Sequence, residues 1–186
     1  MADSAKRMEI SLTYRDYLNF PDDRQKYEIL EGELYMTPSP NYLHQKISQS
    51  LEYFLYSHIR QHRRGILLHA PMDVIINEST VVQPDILFVR EERRTIITDR
   101  GVEGAPDLVV EILSPSTASL DRLSKFQIYG KLGVCWYWIV DPGLRQIEQY
   151  ENEHGVFVHR GTWKNDDKLK AELFDGLELD LREIFL

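Results

Sequence analysis

Apolar residues fall into a helical period over one long stretch and into alternating or continuous runs over most of the rest. Between 41 and 63, Leu43, Ile47, Leu51, Phe54, Leu55, His58 and Ile59 recur at helical spacing, and Gly65 stands just past the last of them. This predicts a long helix with one buried stripe. Ser11 or Thr13 caps a short helix through Asn19, stopped by Pro21-Asp22-Asp23. Tyr27–Leu30, Glu31-Gly32 and Glu33–Met36 read as strand, tight turn and strand, ended by Pro38 and Pro40. Further strands are expected at about 66–77, 81–89 and 107–113, with a charged excursion at 90–100. Ser114-Pro115-Ser116-Thr117 leads into a helix of about 118–132, ended by Gly133. Strands at 134–140, 145–150 and 156–160 follow, then a strand near 170–174 and a terminal turn at 181–185. Residues 1–10 read as a loose lead-in.

The run at 107–113 is almost wholly apolar, as befits a strand covered on both faces. The helix between it and the strand at 134–140 is a crossover, so these two strands are expected to be parallel neighbours. The order of elements predicts one α/β domain over 1–186: a mixed β-sheet flanked by helices, with a β-rich C-terminal extension.

Composition narrows the function. The 186 residues include one cysteine, Cys135, so no disulfide closes within the chain, and no cysteine–histidine zinc pattern is present. No apolar run is long enough for a membrane span, and the first ten residues lack a signal-peptide stretch, so a cytoplasmic protein is expected. Lys and Arg total 22 against 30 Asp and Glu, for a net charge of −8. That balance weighs against a protein built to coat nucleic acid, though not against an enzyme with a local basic cleft.

Two strands carry an acid where a core prefers none. Asp85 follows Pro84 in Val-Val-Gln-Pro-Asp-Ile-Leu-Phe-Val, and Glu111 lies inside Leu-Val-Val-Glu-Ile-Leu. An ionised carboxylate in an apolar strand is costly unless it is paired or bound to a metal. One divalent cation compensating both is one reading, and oxygen ligands then favour Mg2+ or Mn2+ over zinc. The other reading is that each acid caps a strand end or pairs with an arginine. Asp121 and Lys125 stand four apart on one helix face. They form either a solvated local pair or a device aiming Lys125 over the sheet at Glu111. Trp136, Tyr137 and Trp138 are base-stacking candidates, although a buried strand claims at least two of them for the core. Cys135 reads as an inert core thiol, and Ser114–Thr117 as a turn and helix cap or a phosphate contact.

These residues carry a resemblance. Pro84-Asp85 followed by Glu111-Ile112-Leu113 in this α–β order resembles the PD-(D/E)XK nuclease superfamily. More narrowly, the chain resembles the bacterial Uma-two family of restriction endonucleases. The match rests on Glu31-Gly32-Glu33-Leu34, Ser39-Pro40, His44, Gln83-Pro84-Asp85, the run from Ala105 to Thr117, Asp121-Arg122-Leu123-Ser124-Lys125, Tyr129, Gly133-Val134 and Tyr137–Pro142. It runs from about Tyr27 to Tyr150.

The resemblance implies a restriction-endonuclease-like fold and a metal-dependent endonuclease acting on DNA, as a homodimer that supplies two strand cuts. It implies that Asp85 and Glu111 hold Mg2+ (or Mn2+) with the Ile112 carbonyl as third ligand. The superfamily's lysine position is Leu113 here, and Lys125 on the next helix is the matching cation, orienting or activating water. Glu33, in preference to Glu31, corresponds to an additional acid, and His44 matches a recurrent histidine. The competing class is a non-catalytic binding or regulatory module on the same fold. A third is an enzyme acting on a small phosphorylated molecule. A DNA substrate further requires basic residues gathered on one face, and Arg60, Arg63, Arg64, Arg90, Arg93, Arg94 and Arg122 are the candidates. The arginines at 60, 63 and 64, together with His62, also suit the negative end of the long helix.

Overall fold

A computed structural model describes residues 11–185 apart from 22 and 24, so the lead-in at 1–10 lies outside the described residues. In chain order the elements are α1 (Tyr14–Tyr17), β1 (Lys26–Leu30), β2 (Glu33–Thr37), α2 (Tyr42–His62), β3 (Gly65–His69), β4 (Val74–Asn77), β5 (Thr80–Val82), β6 (Ile86–Arg90), β7 (Ile97–Thr98), β8 (Gly101–Glu103) and β9 (Leu108–Ile112). A π-wound turn (Leu120–Lys125) then runs into α3 (Phe126–Lys131). After it come β10 (Trp136–Asp141), β11 (Gln146–Glu153), β12 (Val156–Lys164), β13 (Lys168–Lys170), β14 (Glu178–Asp180) and α4 (Leu181–Ile184).

Two six-stranded mixed sheets result, in the orders β2-β1-β5-β4-β8-β7 and β12-β11-β10-β9-β6-β3, with β13 and β14 as a separate pair. The crossover expectation holds: β9 and β10 are parallel, with Trp136 opposite Leu108 and Val140 opposite Ile112. Two sequence runs expected as single strands are each divided between the sheets. The run at 66–77 breaks at the cis Ala70–Pro71 bond into β3 and β4, and the run at 81–89 breaks at Gln83-Pro84-Asp85 into β5 and β6. Proline cannot donate a ladder hydrogen bond, so each proline marks the point where the chain leaves one sheet for the other.

The long helix forms as expected. The Asn41 side chain accepts the His44 N–H at its start, and Arg63, rather than the expected glycine, takes the left-handed conformation at its end. Ile47, Leu51, Leu55 and Ile59 are all buried and pack on Ile86, Phe88, Leu108, Val110 and Ile112. At about 1.5–3 kcal/mol for each fully buried aliphatic side chain, this stripe anchors α2 to the second sheet. The C-terminal strand expected near 170–174 is instead the β13–β14 pair. Leu169, Phe174, Leu179 and Ile184 extend the same core.

Strand alternation then sets up the site. Leu108, Val110 and Ile112 face α2, so Val109 and Glu111 face the opposite side, where Leu30, Val74 and Val82 of the first sheet and Ile128 and Tyr129 of α3 close the second core. Trp136, Tyr137 and Trp138 are all buried, which leaves none of them to stack on a base. Among the described residues, no helix is long and apolar enough to cross a membrane.

Candidate active site

The C-terminal end of β9, the residue entering β6, the N-terminus of α2, the strand β1 and the π-wound turn meet around a cavity of about 300 Å³. Asp85, Glu111, Ile112, Lys125 and His44 all line it. The structure thus brings together five of the six residues singled out in the sequence for catalysis or metal binding.

Asp85 is held from two sides. Its Oδ2 accepts the Ile112 N–H at 2.8 Å and lies 3.0 Å from His44 Nε2. Burial raises the affinity of this carboxyl for a proton. The His44 hydrogen bond, the charges of Lys26 and His44 and the Ile112 amide outweigh it, and the Asp85 pKa is lowered. Burial also opposes the charged form of His44, but the Asp85 hydrogen bond and charge prevail and raise its pKa. His44 therefore presents Nε2–H to Asp85, while its Nδ1 is buried with no hydrogen-bond partner among the described residues.

Glu111 is 2% exposed, and its Oε1 accepts from Lys125 Nζ at 3.0 Å and from the Tyr129 hydroxyl at 2.9 Å. Burial pushes its carboxyl up to about 8 against the pull of Lys125, with the Asp121 charge adding to the rise. Lys125 is equally buried. Besides Glu111 it meets Glu28 at 3.0 Å and Asp121 at 3.4 Å. Burial works against its charge, and the three carboxylates overcome this and hold its pKa well above the ordinary lysine value. Of the two readings of the Asp121–Lys125 spacing, the solvated pair is not what forms: both residues are buried, and Lys125 is aimed over the sheet at Glu111 with Asp121 beside it. The turn that carries them is π-wound, a winding that recurs where helices present functional side chains.

The acid contributed by the early hairpin is Glu28, which the sequence reading passed over. Glu28 is completely buried, receives the Gln83 N–H at 2.9 Å and contacts Lys125 through both oxygens. Burial opposes its ionisation, and Lys125 and Lys26 reverse this, so its pKa is lowered. Glu33, expected at the site, is not brought to this cavity. Glu33 is opposite Leu30 on the outer strand, exposed at the turn end of the hairpin, where it accepts a hydrogen bond from the Tyr35 hydroxyl. It borders a separate hollow beside α3, where Glu31 pairs with Lys131. One strand further out and at the tip, Glu33 meets solvent while Glu28 meets the core.

Each central carboxylate commits one oxygen. Among the described residues, Asp85 Oδ1 and Glu111 Oε2 receive no hydrogen bond, and neither is sealed from the cavity. Two free carboxylate oxygens at a wet cavity fit Mg2+ or Mn2+, which bind through one or two carboxylates and keep several waters. Among the described residues no three metal-ligating side chains converge, so main-chain oxygen and water would complete such a shell.

The arginine expectation also changes. Arg90 and Arg93 reach Asp107 at 3.6 and 3.0 Å, Arg94 pairs with Glu91, and Arg122 is bound by Glu148 and Asp141. Arg60, Arg63 and Arg64 lie at the far end of α2, about 24 Å from His44 at 1.5 Å per residue. These arginines do not rim the cavity. Cys135, read from the sequence as an inert core thiol, lies within 3.9 Å of Asp107 and is only partly buried.

Comparison with known proteins gives a consistent picture. The family model Uma2, described as "Putative restriction endonuclease", matches residues 14–182, and the chain belongs to that family. Two proteins of Synechocystis sp., both described as uncharacterized, are 29% identical over 150 residues (79% of this chain, 78% of the relative) and 23% identical over 142 residues (75% and 80%). A crystal structure from Anabaena variabilis, described as a "putative nuclease belonging to DUF820", superposes with a TM-score of 0.75 over 94% of this chain and 97% of its own, at 20% identity. The likeness to that structure is one of fold.

Proposed function

We propose that this Uma2 member is a Mg2+- (or Mn2+-) dependent endonuclease that hydrolyses DNA phosphodiester bonds at the Asp85–Glu111 cavity. The observation that carries the reading is the pair of buried carboxylates, each with one oxygen fixed by protein and one turned to the cavity. When bound, a divalent cation supplies polarisation of a phosphoryl oxygen and activation of water. The chain's own residues do the rest. Asp85 through Oδ1 and Glu111 through Oε2 would hold the cation, with the Ile112 carbonyl as a third ligand. His44 and the Ile112 amide fix the Asp85 carboxylate, and Lys125 and the Tyr129 hydroxyl fix that of Glu111. Lys125 acts here as a positioning residue, because its three N–H groups face three carboxylates. The turn at Ser114–Thr117 borders the cavity and offers hydroxyls to a phosphate. Two copies related by a two-fold axis would supply the two cuts of a duplex break.

The test is titration of Mn2+ by calorimetry alongside cleavage of supercoiled plasmid in Mg2+, Mn2+ and EDTA, for wild type and Asp85→Asn. Wild type should bind one cation and nick the plasmid. Asp85→Asn should do neither while keeping the wild-type melting temperature within a few degrees. Cation binding by Asp85→Asn at wild-type strength would remove Asp85 from the site. One observation favours a second reading, a binding module that kept the nuclease fold: the arginines are tied to acids away from the cavity. DNA binding and Mn2+ binding without any cleavage would select it.

A further inference from the structure

A phosphodiester entering this cavity meets two carboxylates and needs a cation that is free to approach it. Lys125 cannot serve, being 2% exposed with three carboxylates around its ammonium. His44 is bound to Asp85. Lys26 also lines the cavity. It stands two residues before Glu28 in β1, hence on the same face of that strand. Its side chain is 24% exposed, and among the described residues its only ion-pair partner is Glu28 Oε1 at 3.8 Å, too far for a hydrogen bond. Among the described residues, no group accepts a hydrogen bond from its ammonium. Its charge nevertheless reaches the site, lowering the proton affinity of Glu28, Asp85 and Glu111 alike.

Resting on the nuclease reading, the geometry points to Lys26 as the catalytic cation that contacts the scissile phosphate, a role separate from that of Lys125. Lys125 holds the floor of the site in place, and Lys26 swings from Glu28 onto a non-bridging phosphoryl oxygen. A four-carbon stem on a strand, anchored at its base and free at its tip, suits that movement.

The test uses the full chain and a labelled duplex. Binding is followed by fluorescence anisotropy in Ca2+ across a range of salt, and plasmid nicking is followed in Mg2+ and Mn2+, for wild type, Lys26→Gln, Lys26→Met and Lys26→Arg. Thermal melts confirm folding; the two neutral variants guard against one that fails to fold. Both neutral variants should lower the salt slope of log K by about 0.9, the loss of one phosphate contact on duplex DNA. They should also lower kcat by on the order of a hundredfold, as loss of one preorganised donor does. Lys26→Arg should recover most of the slope and part of the rate. Wild-type cleavage with neutral variants of unchanged slope and kcat would overturn the Lys26 role and leave the nuclease reading standing. So would a slowed variant whose slope is unchanged and which arginine does not rescue, since Lys26 would then act only through Glu28. A wild type that neither binds the duplex nor cleaves in any of these cations would overturn both.

Discussion

Replacing Lys125 by methionine keeps most of its length and removes its charge from among Glu28, Glu111 and Asp121. The contacts at 3.0, 3.0 and 3.4 Å correspond to about 5 kcal/mol of Coulomb attraction each at an effective dielectric of 20. That sum is never realised as stability, because the ions also lost their hydration on burial. The cost of the substitution is capped in another way. Glu28 is the carboxyl whose proton affinity Lys125 holds down; without that counter-charge it takes up a proton, and holding it neutral at pH 7 against an ordinary value near 4.3 costs about 3.7 kcal/mol. A net loss of about 3–5 kcal/mol at pH 7 follows, the usual range for breaking a buried pair from one side. For a chain of this size it corresponds to a fall of roughly 6–20 °C in Tm. The loss must also depend on pH. In the variant the folded-state Glu28 binds its proton more tightly than in the unfolded chain, so between about pH 4.3 and its raised value this group makes stability decline as pH rises, which it does not do in wild type. At pH 5 the cost per carboxyl shrinks to about 1 kcal/mol by the same arithmetic. Urea and thermal unfolding at pH 5 and pH 7 in EDTA measure both quantities. A variant as stable as wild type at pH 7, or one destabilised equally at the two pH values, would refute the charge-balance account of the floor.

Glu28 and Glu33 differ in the same currency. Glu28→Gln should lose about 1–3 kcal/mol at pH 7, since the Glu28 pKa is lowered in the fold and its contribution is present above the ordinary carboxylate value and lost on acidification. Glu33→Gln, at an exposed tip, should stay within about 0.5 kcal/mol of wild type and leave Mn2+ binding unchanged; weakened Mn2+ binding in Glu33→Gln would return that acid to the site. Titration of His44 followed by NMR should give a pKa above the ordinary imidazole value, falling on Asp85→Asn, because the Asp85 hydrogen bond and charge are what overcome burial. The His44–Asp85 pair then stabilises the protein below the unfolded imidazole value, and that contribution disappears as pH rises through the folded one. A His44 titration untouched by Asp85→Asn would show that the 3.0 Å contact carries no charge-assisted hydrogen bond.

Much of the architecture is legible because local signals agree with the tertiary outcome. The stripe Ile47, Leu51, Leu55 and Ile59 makes α2, Glu31-Gly32 makes the hairpin turn, and a helix between two apolar runs makes β9 and β10 parallel. The division into two sheets is less legible. Residues 81–89 are apolar and β-prone on both sides of Gln83-Pro84-Asp85, as one buried strand with a polar interruption would be, and Pro84 marks the break. Its meaning depends on a second sheet lying close enough to take the other half, and that is a property of the whole fold. The C-terminal pair is hidden for a related reason: β13 and β14 are three residues each and gain their stability from the core beneath them rather than from their own pattern.

The site shows the same boundary between local and long-range information. Asp85 and Glu111 were legible because each interrupts an apolar run, and strand parity alone puts Glu111 on the face opposite Leu108, Val110 and Ile112. Glu28 carries the same mark, a single acid in Tyr-Glu-Ile-Leu, but hairpin strands so often have one wet face that an acid there reads as solvated. What distinguishes Glu28 from Glu33 is its strand. β1 is an inner strand between β2 and β5 that carries Glu28 against Gln83 and Lys125, while Glu33 stands at the turn end of β2, an edge strand. Lys125 then follows from Glu28. Three acids gathered at the floor of one cavity require a cation from some other element. The helix after β9 is the one whose start is carried across that floor, and it supplies Lys125 together with the third of the acids, Asp121. A sequence motif records the two strand acids, whereas the cation that makes their burial tolerable is set by which helix the crossover places above them.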